Sequence, residues 1–153
     1  MTLKDLFVVL AALTVSAAAS AADEPHYVVG ARSGDRGALP FSEAVLVGDT
    51  LYVAGHIGLD PKTNQAPQDP KIEAKLVLDA VQQTVKSAGL TMDDLVSVTV
   101  YCTDLDLYNT FNRTYQAYFH GKYPARAFVG VAHLLRGGHF EVQGIAVRKA
   151  KAS

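Results

Sequence analysis

The chain has 153 residues, 49% hydrophobic and 19% charged, with a formal net charge of −1. That length holds one domain with a substantial core and is too short for two. No basic excess is present to grip a phosphate backbone, so nucleic acid is not expected as a partner, and a lone cysteine, Cys102, excludes a disulfide within one chain.

At the start, Lys4 precedes the apolar run LFVVLAALTV and the small-residue stretch SAAASAA, where Ala19-Ser20-Ala21 fits an A-x-A cleavage site. The run is short for a membrane span, and no stop-transfer pattern follows. The expected organisation is a cleaved secretory signal over residues 1–22 and a single domain over residues 23–153, periplasmic or secreted, with no stable membrane insertion after cleavage. An uncleaved N-terminal anchor is the alternative.

Tyr27–Val29 reads as an opening strand, and the glycine-rich, charged stretch after it as a loop. SEAVLVGDTLYVAGHI is a hairpin, its two apolar runs joined by Gly48-Asp49, a pair suited to a type II′ turn. A Pro- and Asp-rich loop leads to Asp69-Pro70, which opens a helix as cap and first residue. Ala74, Val77, Leu78, Val81, Val85 and Ala88 recur at helical spacing, and Gly89 stops it. TMDD resembles a capping box for a short turn. Leu95–Cys102 alternates as a strand that places Cys102 with Val96, Val98 and Val100, a buried small hydrophobe rather than a nucleophile.

Asp104 or Asp106 caps a second helix with Leu107, Phe111, Tyr115, Tyr118 and Phe119 on one face, ended by Gly121 and Pro124. Arg126–Leu134 and Phe140–Arg148 read as two more strands joined through Gly137-Gly138. This order predicts an α+β domain with two helices packed on one face of a mixed sheet. A chain this size has no third layer, so subunits are expected to bury the other face.

The five histidines form no metal-ligand spacing. His133 and His139 could meet only across the last hairpin, so no metal is expected. No G-x-S-x-G is present for a nucleophile elbow. Arginine and carboxylate remain: Arg126 heads one late strand and Glu141 the next. If those strands pair antiparallel, Glu141 lies some distance from Arg126 within one subunit. Strand-end charges are commonly solvated, and the pattern alone does not join these two into a site.

Three stretches, PFSEAVLVGDTLYVAGHIGLDPKT, AGLTMDDLVSVTVYCTDLDLYNTFNRTYQAYF and YPARAFVGVAHL with FEVQGIAV, together resemble the Rid family of reactive-intermediate imine and enamine deaminases, from about Leu39 to Arg148. The resemblance implies a chorismate-mutase-like homotrimer, with sheets forming an inner barrel and clefts between subunits. It implies that Arg126 anchors a substrate carboxylate, that Glu141 positions water, and that Asn112 shapes the cleft. The implied reaction turns 2-imino acids or their enamines into 2-keto acids and ammonia. No cofactor is implied, because the substrate is already electrophilic.

At four implied substrate-binding positions this chain departs from the family. Phe41 replaces a tyrosine, Ala54 a serine, His56 a glutamine and Phe128 a cysteine. His56 would be a new hydrogen-bond donor or a partly exposed strand-end residue. The loss of three polar groups motivates an alternative, a non-catalytic trimer that binds imino or keto acids or acts as a holdase. The ribonuclease activity sometimes attributed to the family meets no basic stripe here. Export would require a source of imines other than the cytoplasmic pyridoxal-phosphate enzymes the family usually serves.

Overall fold

A computed structural model describes residues 24–28 and 40–149. The expected signal and most of the glycine-rich loop before Pro40 lie outside the described residues. Within them the chain runs β1 (His26–Val28), β2 (Ala44–Val47), β3 (Thr50–Ile57), α1 (Pro70–Ser87), β4 (Leu95–Cys102), α2 (Tyr108–Tyr115), β5 (Ala125–Gly130) and β6 (Phe140–Val147). Short 3₁₀ turns flank α2 on both sides.

Local chemistry accounts for the boundaries. Gly48 takes φ 56° between Val47 and its partner Thr50, as the first turn position of a II′ hairpin demands. The Asp69 carboxylate accepts from Lys71 N at 2.9 Å and Pro70 opens α1 without wasting a donor. Gly89, at φ 75°, ends it. Asp104 caps the 3₁₀ turn that feeds α2, accepting from Asp106 N at 2.9 Å. Asp94 accepts from Thr91 N at 2.8 Å, one arm of the box read in TMDD.

The six strands form one mixed sheet in the order β1-β2-β3-β6-β4-β5. β4 and β5 are parallel, joined by the crossover that carries α2, and the other pairs are antiparallel. The helices share one face. Ala74, Val77, Leu78, Val81 and Val85 of α1 are buried, with α1 packed on β3 and β6 and against α2. Phe111 of α2 meets Phe140 of β6 at 5.0 Å and Phe128 of β5 at 5.7 Å between ring centres. The opposite face carries Tyr52, Thr99, Tyr101, Glu141, Gln143 and Ile145, and no element among the described residues covers it.

Two expectations are corrected. The last two strands do not form a hairpin: β6 lies between β3 and β4, and β5 is an edge strand ending at Gly130 rather than Leu134. Arg136 and Gly137 adopt φ 58° and 71° and turn the connection away from β5. Fully buried Glu73 of α1 then accepts from the backbone N–H groups of His139 (2.6 Å) and Phe140 (2.8 Å), which draws the head of β6 beneath α1. Val96 is also displaced. A register shift between Leu95 and Ser97 leaves it exposed, while Val98, Val100 and Cys102 stay buried. No helix among the described residues is long and apolar enough to cross a membrane.

Candidate functional site

Arg126 pairs in register with Val98, and Phe128 with Val100, so both side chains point to the helix-bearing face. There the guanidinium meets α2. Tyr108, Asn112 and Tyr115 are spaced i, i+4, i+7 and form one stripe of that helix. Arg126 Nη2 donates to Asn112 Oδ1 at 2.7 Å. The Arg126 Cζ lies 4.6 Å from the Tyr115 ring centre and 5.7 Å from those of Tyr108 and Phe128. Three aromatic walls thus hold a half-buried cation.

The opening tension of this arrangement is electrostatic. Arg126 Nη1 is buried without a hydrogen-bond partner among the described residues, as is the Tyr115 hydroxyl. Each orphan of this kind costs about 1–3 kcal/mol. Burial raises the Tyr115 pKa to about 12, against a smaller lowering by the Arg126 charge, so the hydroxyl remains a donor at any ordinary pH. A cation fixed by a neutral amide and ring faces, with an unsatisfied donor, is arranged to receive a small anion.

Glu141 stands elsewhere. It pairs with Ile57 on one side and Tyr101 on the other, on the helix-free face. Its neighbours Phe140 and Val142 are the buried residues of the alternation. Its carboxylate lies over Gly55, where an added Cβ would sit 2.0 Å from Glu141 Oε1. Burial pushes the Glu141 carboxyl above its usual range, which makes it a stronger proton acceptor once ionised. Arg126 and Glu141 therefore occupy opposite faces of the sheet, and one chain alone does not bring them together.

The remaining predicted positions divide. Asn112 and Phe128 join Arg126. Ala54 precedes Gly55 at the β3 irregularity, and its N–H donates to the Glu43 carbonyl at 2.9 Å. Phe41, 58% exposed, stands before β2 with its ring largely in solvent. His56 pairs with Val142 and faces the helices, with Nε2 3.2 Å from the Thr84 hydroxyl of α1. The row His56–Val142–Val100–Phe128 spans three strand steps, roughly 14 Å, so His56 does not reach Arg126 within the chain. Among the described residues no cluster of three or more His, Cys, Asp or Glu side chains is grouped to hold a metal. His139, read as a possible hairpin partner of His133, instead has Nδ1 2.5 Å from Glu73 Oε2.

Sequence reasoning missed two polar roles. Helical spacing places Tyr115 on the apolar face of α2, yet its ring lies against the Arg126 guanidinium and its hydroxyl is buried without a partner among the described residues; the i+3 spacing from Asn112 is the available signal. Glu73 lay unread within α1. A glutamate one position before the apolar stripe at Ala74 falls on the buried side of the helix, and that was its only mark.

A sequence model of the Endoribonuclease L-PSP family, the YjgF/Rid proteins, matches residues 36–148. The chain belongs to the Rid family. Among curated relatives, the 2-iminobutanoate/2-iminopropanoate deaminase of Escherichia coli K12 is 37% identical over 113 residues, covering 72% of this chain and 88% of its own. The mouse protein of the same name is 40% identical over 110 residues, covering 71% and 82%. Two crystal structures share the fold of this Rid protein. The E. coli YjgF gene product aligns with a TM-score of 0.68 at 37% identity, over 72% of this chain and 89% of its own. E. coli TdcF with bound serine aligns at 0.72 and 31% identity, over 81% and 100%.

Proposed function

We propose that this Rid protein hydrolyses 2-imino acids, or the enamines that tautomerise to them, to 2-keto acids and ammonia, and that it works as a homotrimer. One observation carries the reading. Arg126 is held by Asn112 and aromatic faces, with a buried N–H that has no acceptor among the described residues. A substrate carboxylate supplies that acceptor. Curated relatives named for imine deamination support the same reaction class.

The chemistry follows from the two groups. The carboxylate binds the Arg126 guanidinium, leaving the adjacent iminium carbon open to attack. Glu141, its basicity raised by burial, takes a proton from water as the oxygen adds to that carbon. Glu141 returns that proton to the carbinolamine nitrogen, the C–N bond breaks, and ammonia leaves as the hydroxyl proton passes back to Glu141 and the carbonyl forms. Since Arg126 and Glu141 lie on opposite faces of one sheet, the Glu141 that serves a given Arg126 comes from a neighbouring copy. The apolar residues of the helix-free face, Tyr52 and Ile145 among them, give such copies a surface to share. The stretch over residues 1–22 supports a periplasmic or secreted location for the mature chain.

The test couples the purified protein to an amino-acid oxidase that generates imino acids and follows keto-acid release. Wild type should accelerate release, and Arg126→Ala should fall to the uncatalysed rate. Equal rates for wild type and Arg126→Ala would end the proposal. Arg126-dependent binding of a keto acid without turnover would leave a binding protein instead.

A further inference from the structure

The Arg126 site contains two buried polar atoms without partners among the described residues, Arg126 Nη1 and the Tyr115 hydroxyl. They belong to neighbouring groups: Arg126 Cζ lies 4.6 Å from the Tyr115 ring centre, and the Arg126 charge acts on the Tyr115 hydroxyl. We propose that the Tyr115 hydroxyl is a second anchor for the ligand carboxylate, donating to one oxygen while Arg126 Nη1 donates to the other. This rests on the proposed reading of Arg126 and extends it to a residue of α2.

Three features favour this assignment. Asn112 Oδ1 accepts from Nη2, and Nη1 is the guanidinium nitrogen left buried without an acceptor among the described residues. Asn112 and Tyr115 lie on the same stripe of α2, which fixes the hydroxyl relative to the fork. A carboxylate also has two charged acceptor oxygens, so a single ligand satisfies both orphans at once with a separate oxygen for each. A neutral amide or primary alcohol has one acceptor oxygen and no charge to match the guanidinium.

Both atoms are shielded from solvent, so a ligand reaches them only as a neighbouring side chain turns aside. Tyr123 is the most exposed of the neighbouring rings. It stacks on Tyr115 at 6.3 Å between centres, is 57% exposed, and lies in the connection between Gly121 and β5.

The experiment uses Tyr115→Phe, which keeps the ring and its cation contact and deletes only the hydroxyl. Pyruvate and 2-oxobutanoate are titrated by calorimetry into the full-length protein, and kinetics are read with oxidase-generated imines. Tyr115→Phe should weaken keto-acid binding and raise KM about tenfold with kcat largely kept, while pyruvamide should bind wild type and variant equally weakly. A tyrosine that only packs would leave KM and keto-acid affinity unmoved, and that result overturns the inference. If Arg126→Ala removes binding and Tyr115→Phe does not, the second anchor fails and the proposed function stands. If Arg126→Ala also binds normally, both fail.

Discussion

Glu73 offers the sharpest test of how the helices place the strand that carries Glu141. Its side chain is fully buried and accepts from His139 N at 2.6 Å and Phe140 N at 2.8 Å, with His139 Nδ1 2.5 Å away. Replacing it with alanine strands two backbone donors and one ring nitrogen at the head of β6. Each unsatisfied buried donor costs about 1–3 kcal/mol, and breaking a buried charged contact costs about 3–5 kcal/mol in all. Glu73→Ala should therefore lose about 3–5 kcal/mol in urea unfolding. Glu73→Gln keeps an oxygen for both amides and turns an NH2 toward His139 Nδ1, which the other imidazole tautomer can accept, so its loss should be about 1–2 kcal/mol. Phe140 directly precedes Glu141, so the alanine variant should also turn over imines more slowly in whatever fraction remains folded. Equal losses for the two variants, or less than about 1 kcal/mol for alanine, would refute the reasoning.

Other perturbations separate the site from the scaffold. Gly55→Ala places a Cβ 2.0 Å from Glu141 Oε1, the end of a flexible chain, so kcat should fall about tenfold or more in the coupled assay while the melting temperature barely moves. Glu141→Gln should lower kcat about 10²–10⁴-fold with keto-acid affinity kept, as calorimetry would show. The same substitution should raise thermal stability at neutral pH. Burial lifts the folded-state pKa of Glu141 above its usual value near 4.5, so its contribution is present below that value and lost as pH rises through the raised one. The melting temperatures of wild type and Glu141→Gln should therefore converge on acidification. Asp69→Ala removes the acceptor of Lys71 N and should cost about 1 kcal/mol in urea unfolding without changing KM.

Periodicity and caps disclosed the elements well because both are local. The Asp69-Pro70 start, the Gly48-Asp49 turn and the Gly89 stop each depend on residues within a few positions, and each stands where the sequence placed it. Strand order is different. Alternation in FEVQGIAV shows which residues share a face, but not which strands flank them. Reading the last two strands as a hairpin followed from their closeness in sequence. The structure instead seats β6 between β3 and β4, and the contacts responsible join Glu73 to residues 66 and 67 positions away. A short-range pattern carries no signal of that length. Val96 failed for a related reason, since a register shift at Leu95 is a property of the pair and not of the strand.

For the candidate site, the sequence names residues but not their geometry. Arg126 stood out as a charge at the head of an apolar strand, and the resemblance supplied Asn112 as a neighbour, which became a 2.7 Å hydrogen bond. Phe128 was counted as the loss of a polar group, yet its ring forms one wall beside the cation. That changes what the departure does. A ring near a guanidinium contributes favourable cation–π energy and lowers the local dielectric, so it strengthens a carboxylate contact rather than merely removing a hydrogen bond. Under the proposed carboxylate binding it would also occupy space beside the ligand that a larger substrate side chain would need. The same substitution should therefore narrow the range of ligands while tightening the hold on those that fit, and Phe128→Cys should show the reverse: weaker pyruvate binding by calorimetry and a broader set of accepted 2-keto acids. If pyruvate bound Phe128→Cys more tightly than wild type, the ring would be an obstruction and not a wall.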